Sequence, residues 1–94
     1  MTEEKKRAHA IISGRVQGVF YRSETQKAAK QHNVTGWVKN KSDGTVEAVF
    51  EGPENDVSGM LEWCKTGSPQ ARVENVDVTW EEPTGEFSGF NVKH

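Results

Sequence analysis

Polar and apolar positions alternate most cleanly between Val46 and Glu51. Val46, Ala48 and Phe50 share one parity, and Glu47 and Glu51 the other. A period of two sends successive side chains to opposite faces, so this segment reads as a half-buried strand. Ser42-Asp43-Gly44 before it is a hairpin turn signal. Val34 to Lys41, carrying Trp37 and Val38, is the strand that feeds the turn. Gly52-Pro53 ends the alternation, and Pro53 suits the first turn of a helix. The period then changes. Val57, Met60, Leu61 and Cys64 fall at i, i+3, i+4 and i+7, one stripe of a helix, which Gly67 closes.

The flanking segments are less regular. Ala8 to Ser13 reads as the first strand, ended by Gly14. Ser23-Glu-Thr-Gln26 reads as a capping box opening a helix, with Ala28 and Ala29 as its buried stripe and Thr25 and His32 beside them. Asn33 tolerates the left-handed conformation and serves as its C-cap. In Ala71 to Glu81, Val76, Val78 and Trp80 alternate. Val73 has the wrong parity, which predicts a bulge near Glu74 or Asn75. Glu82-Pro-Thr-Gly85 is a turn, and Phe87 to Lys93 a short last strand. Residues 1–6 read as a disordered polar tail and 7–94 as one domain. The order predicts an α+β, ferredoxin-like βαββαβ sandwich, an antiparallel sheet with both helices on one face. Its core is expected to hold Val46, Ala48, Phe50, Val57, Met60, Leu61, Val76, Val78 and Phe90. That arrangement hosts many functions and names none.

Composition narrows the classes. Hydrophobic residues are 33% of 94, lean for a globular chain, but three Trp, four Phe and eleven Val against one Leu supply bulk and favour strands. A net charge of −2 argues against a broad, charge-driven nucleic-acid binder, while leaving room for a local basic cleft. The single Cys64 excludes an internal disulfide and fits a reducing, cytoplasmic setting. No apolar run approaches the ~18 residues of a membrane span, and the polar start, without an apolar stretch, is expected not to act as a signal peptide. The chain is therefore expected to have neither membrane nor nucleic-acid partner; it is also expected to be a monomer.

Chemistry concentrates between Gly14 and Arg22. This segment joins a strand end to a helix start and contains no proline, so every residue offers an amide. Successive amides in a tight turn converge on anions, and a helix N-terminus adds donors and partial positive charge. Gly14 and Gly18 permit torsions that a β-carbon forbids. Arg22 at the junction can grip an anion with a planar fork. These parts fit a phosphate-like dianion; an ordinary strand–helix loop with a solvated arginine fits the composition as well. The segment has neither G-x-x-x-x-G-K-[ST] nor G-x-G-x-x-G.

Gly14-Arg-Val-Gln-Gly-Val-Phe-Tyr-Arg22 closely resembles the first signature of the acylphosphatase family. Gly36-Trp-Val-Lys-Asn40, followed by Asp43-Gly-Thr-Val46 and ending at Gly52, resembles the second, at matching separation. The resemblance runs from about Ala8 to Val92. It implies hydrolysis of acyl phosphates to carboxylate and inorganic phosphate, with no metal and no cofactor, phosphate being both product and inhibitor. The family's essential arginine and asparagine fall on Arg22 and Asn40. Its phosphate cradle falls on Arg15, Val16, Gln17, Gly18, Val19, Phe20, Tyr21 and Arg22. Tyr21 stands where Phe is commoner and Asn33 where Gly is usual; neither touches the catalytic pair.

The residue types suit that chemistry. An acyl phosphate has a good leaving group, so catalysis reduces to positioning and to charge on the phosphoryl oxygens. Asn40 offers an acceptor and a donor for orienting water. Other candidates have plainer readings. His9, His32 and His94 lack metal-ligand spacing, and Cys64 lies on the apolar stripe of its helix. Glu3-Glu4 and Glu81-Glu82 read as solvated charges, Lys39 and Lys41 as hairpin residues. Trp37, Trp63 and Trp80 read as core or sheet-face residues. The rival class is a non-catalytic ligand- or RNA-binding module of the same fold. Its RNP1-like aromatic strand is missing, since Gly44 to Gly52 carries Glu outward. A second rival is a domain supporting carbamoyl phosphate chemistry inside a larger enzyme.

Overall fold

In the computed structural model, which describes residues 4–93, the elements run β1 (Lys5–Arg15), α1 (Tyr21–Gln31), β2 (Thr35–Asn40), β3 (Val46–Pro53), α2 (Glu54–Thr66), β4 (Arg72–Glu81) and β5 (Phe90–Lys93). The five strands form one sheet in the order β4-β1-β3-β2-β5. β1 pairs antiparallel with both β3 and β4, and β2 antiparallel with β3. β5 lies parallel to β2. The sheet is therefore mixed, a correction to the all-antiparallel expectation. The chain reaches β5 by a return along residues 82–89, which leaves the last strand running the same way as β2.

Both helices cover one face. Ala8, Ala10 and Ile12 of β1, Val38 of β2, and Val46, Ala48 and Phe50 of β3 join Ala28 and Ala29 of α1 and Val57, Met60 and Cys64 of α2 in a single buried cluster, closed by Phe90. The Phe50 and Phe90 rings stack with centroids 5.6 Å apart, fastening the last strand to the core. Leu61, Val76 and Val78, expected inside, are only partly buried against the cluster. Leu61 sits at the margin of its stripe, and β4 is an edge strand. Trp80 shares the parity of Val76 and Val78 but is 52% exposed at that edge. Met60 is fully buried, so Met60→Ala should cost about 2–5 kcal/mol of unfolding free energy in denaturant titrations.

Three local expectations change. Lys5 and Lys6, assigned to the tail, begin β1 opposite Pro53 and Gly52, and Glu54 N–H donates to the Glu4 carbonyl at 3.0 Å. Ladder bonds use backbone groups, so a strand extends through polar side chains without an apolar signal. Met1, Thr2 and Glu3 lie outside the described residues. Ser23 does not cap α1: the helix starts at Tyr21, Phe20 is the N-cap without a side-chain bond, and Ser23 Oγ donates to Phe20 O at 3.1 Å. Gln26 reaches instead to the Phe90 carbonyl, 3.0 Å away. The outward face of β3 is also not simply solvated. Glu51 is buried and accepts the amides of Thr84 (3.1 Å) and Gly85 (2.6 Å) from the return segment, with Arg7 at 3.5 Å. The anticipated bulge is present: Ser13 pairs with Asn75 and Gly14 with Val73, leaving Glu74 unopposed. Asn33, at φ 58, follows the His32 C-cap in the left-handed region.

Candidate active site

The bulge sets up the loop that follows. Gly14 has φ 118, and a β-carbon there would run into the Arg72 carbonyl of β4, so only glycine fits. β1 ends at Arg15, and residues 16–20 turn the chain into α1. Val16 and Val19 are buried and act as pegs. Ser68, just beyond α2, is buried and donates its hydroxyl to the Val19 carbonyl at 2.7 Å. Tyr21 is buried too, its phenol donating to the Cys64 carbonyl at 3.0 Å, its ring 5.6 Å from that of Trp63. Burial raises the Tyr21 phenol pKa well above its ordinary value and keeps it a donor.

Gly18 (φ 73) and Phe20 (φ 64) both take the left-handed conformation. For glycine that is free. For phenylalanine it costs about 1–2 kcal/mol. The double turn brings the loop to the helix start, where the first N–H groups of α1 precede the first ladder bond, Glu24 N–H to Phe20 O at 3.1 Å. Thr25 reinforces that turn through its hydroxyl to Tyr21 O, 2.6 Å.

Asn40 is the last residue of β2, opposite Val46. The hairpin beyond it is tightly built. Lys41 N–H donates to Thr45 O at 2.8 Å, and Asp43 accepts both the amide (3.0 Å) and the hydroxyl (2.6 Å) of Thr45. These bonds lower the Asp43 carboxyl pKa. Gln17 bridges hairpin and loop: its Nε2 donates to Lys41 O at 2.8 Å and Thr45 O at 2.9 Å. The segment carrying Asn40 is thus tied to the segment leading to Arg22.

Arg22 and Asn40 line one cleft of about 350 Å³, with Gly18 and Phe20 on the loop side. Arg22 is half-buried, and its Nη1 donates to the Lys93 carbonyl of β5 at 3.1 Å. Asn40 Oδ1 is closed to bulk solvent and has no hydrogen-bond partner among the described residues. A buried acceptor left in this state costs about 1–3 kcal/mol, and the residue that carries it lines the cleft.

Known proteins share this sequence pattern and this fold. The acylphosphatase family model matches residues 8–92. An acylphosphatase from Haloquadratum walsbyi is 54% identical over 93 residues, covering 99% of each chain. The chain belongs to the acylphosphatase family. The crystal structure of the acylphosphatase from Bacillus subtilis superposes with a TM-score of 0.91 at 37% identity, covering 95% of this chain and 99% of that one. The acylphosphatase from Coxiella burnetii gives 0.91 at 38%, covering 99% and 100%. The ferredoxin-like architecture of the acylphosphatases is therefore the fold of this chain.

Within the acylphosphatase loop, the residues anticipated as a cradle divide into two kinds. Gly18, Phe20, Tyr21 and Arg22 line the cleft, together with Val16. Arg15 is exposed opposite Arg72, Gln17 is committed to the hairpin, and the Val19 side chain faces inward. Gln17 and Ser68 as braces have no local sequence signal, because both bonds span long stretches of chain. Val92 and Ser23 also line the cleft. Cys64 is buried and burial pushes its thiol up to about 12, so it is a packing residue. His9 meets Glu47 at 2.6 Å on the outer sheet face, and His32 caps α1. His94 lies outside the described residues. Lys39 lies 3.6 Å from Glu47, and Lys93 stands over the Trp37 ring at 4.6 Å. Glu81, though exposed, accepts from Arg7 Nε at 2.9 Å.

Proposed function

We infer that the chain is an acyl phosphate hydrolase in which Arg22 and the loop amides hold the phosphoryl group and Asn40 orients the attacking water. The activity comes with a family shared at about half of all positions over nearly the whole chain. The residue roles rest on one observation above all: Asn40, whose Oδ1 has no hydrogen-bond partner among the described residues, lines the same cleft as Arg22.

The phosphoryl oxygens sit against Arg22 and the first amides of α1, where the helix dipole also favours negative charge. Lys93 O accepts from Arg22 Nη1 at 3.1 Å and orients the guanidinium, whose planar fork is the group assigned to the charge growing on the phosphoryl oxygens. Water donates one hydrogen to Asn40 Oδ1, which leaves its lone pair directed at phosphorus. Asparagine is too weak a base to take the proton. The phosphorus–oxygen bond to the acyl group breaks as the new one forms, and the carboxylate leaves with that electron pair. Both water hydrogens end on the product, dihydrogen phosphate, so charge and protons balance without a lasting acceptor on the protein.

Benzoyl phosphate should be hydrolysed, inorganic phosphate should inhibit competitively, and EDTA should leave the rate unchanged. Activity lost in chelator and restored by a divalent cation would refute metal-independent catalysis. Among the described residues no group of three or more His, Cys, Asp or Glu is arranged to hold a metal ion. The buried, free thiol of Cys64 supports a reducing, cytoplasmic location, and a single chain supplies every group used above, which supports action as a monomer. No described helix is long and apolar enough to cross a membrane.

A further inference from the structure

One part of the cleft takes no share in the reaction. Phe20 is 70% exposed, yet it lines the cleft beside Gly18, two residues before Arg22. Its backbone lies at φ 64, ψ 21, a region that suits glycine and is an outlier for a bulky aromatic. Neither burial nor torsional preference explains a phenylalanine here. Glycine would hold the same turn without strain, since Ser23 and Glu24 bond only to the Phe20 carbonyl. A strained backbone that presents a side chain at a site is the pattern expected of a functional contact.

The ligand chemistry follows from the surroundings. With the phosphoryl group seated at the helix start, the acyl group must extend toward the open side of the cleft, where the ring is exposed. Val16 and Val92 supply further apolar lining, and Arg22 is the one charged lining residue among those described. A carboxylate-bearing acyl group therefore meets no second cation among the described lining residues. A flat apolar group meets a ring face, with which offset stacking is favourable.

We propose that Phe20 is a specificity-determining residue, a stacking platform that makes the enzyme select acyl phosphates with planar, apolar acyl groups over small aliphatic ones. This rests on the hydrolase reading above and narrows its substrate class.

The test compares the parent chain with Phe20→Ala and Phe20→Gly. One readout is kcat/KM for benzoyl and acetyl phosphate; the other is calorimetric affinity for phenylphosphonate and methylphosphonate, which do not turn over. The benzoyl-to-acetyl ratio should fall about five- to tenfold in both variants, and the preference for phenylphosphonate should shrink with it. Phe20→Gly should unfold at the same or higher denaturant concentration. A ratio within twofold of the parent's in folded variants overturns the proposal, as does an equal loss on both substrates, which would make the ring a support for the loop. A parent chain that discriminates between the phosphonates but hydrolyses neither acyl phosphate would sink the hydrolase reading and leave the platform standing. One that does neither would sink both.

Discussion

Arg22→Ala should lower kcat/KM for an acyl phosphate by on the order of 10³-fold or more, the range seen when an arginine is removed from a phosphoryl-transfer site. Inorganic phosphate affinity should fall in the same variant, because the guanidinium contacts the phosphoryl oxygens in the ground state as well as the transition state. Charge-assisted hydrogen bonds of this kind are worth about 1.5–3 kcal/mol, or roughly 10- to 100-fold in binding. The remaining loss in rate is the charge that develops only on the way to the transition state. Arg22→Lys should rescue little. The Lys93 carbonyl already fixes one guanidinium nitrogen at 3.1 Å, and an ammonium cannot span from that carbonyl to a phosphate as a planar fork does. Calorimetry with phosphate and turnover of benzoyl phosphate, on variants whose circular dichroism matches the parent, separate the two losses. Near-normal turnover in folded Arg22→Ala would remove Arg22 from the chemistry.

How much of this was readable beforehand depends on the range of the interaction. The Val46–Phe50 alternation and the Val57–Cys64 stripe are local repeats of one residue's environment, and the structure buries Val46, Ala48, Phe50, Val57, Met60 and Cys64 together. The bulge at Glu74 was readable for the same reason, since one misplaced valine breaks a period of two. β1 starting at Lys5 was not readable, because pairing with β3 asks nothing of its side chains. The capping box failed because Gln26 finds the Phe90 carbonyl from the far end of the chain. Glu51 reads as an outward polar residue until the amides of Thr84 and Gly85 fold over it. At the site, motif resemblance pointed to Arg22 and Asn40, and the structure brings both to one cleft. It could not separate backbone cradle from brace. Gln17 lies within the first signature but donates to Lys41 and Thr45 carbonyls across the hairpin, a bond with no local signature.

Asn40→Ala should give the opposite pattern to Arg22→Ala: kcat falls about 10²- to 10³-fold, as when one positioned donor or acceptor is removed from an active site, while phosphate affinity stays within a few-fold. The side chain is assigned to orienting the attacking water and Arg22 to holding the phosphoryl oxygens, so the Asn40 loss belongs chiefly to the transition state. The fold should survive. Asn40 Oδ1 has no hydrogen bond among the described residues to lose. The hairpin after it is held by Lys41, Asp43, Thr45 and Gln17, through bonds that do not use the Asn40 side chain. Removing a buried, unsatisfied acceptor relieves a desolvation cost, so the denaturation midpoint should hold or rise. That combination, a protein at least as stable, still binding phosphate and nearly inert, distinguishes a water-positioning group from a structural one. A folded Asn40→Ala with near-normal kcat would exclude Asn40 from the mechanism. Loss of phosphate affinity equal to that in Arg22→Ala would make Asn40 a phosphate ligand, and the attacking water would then need another partner in the cleft.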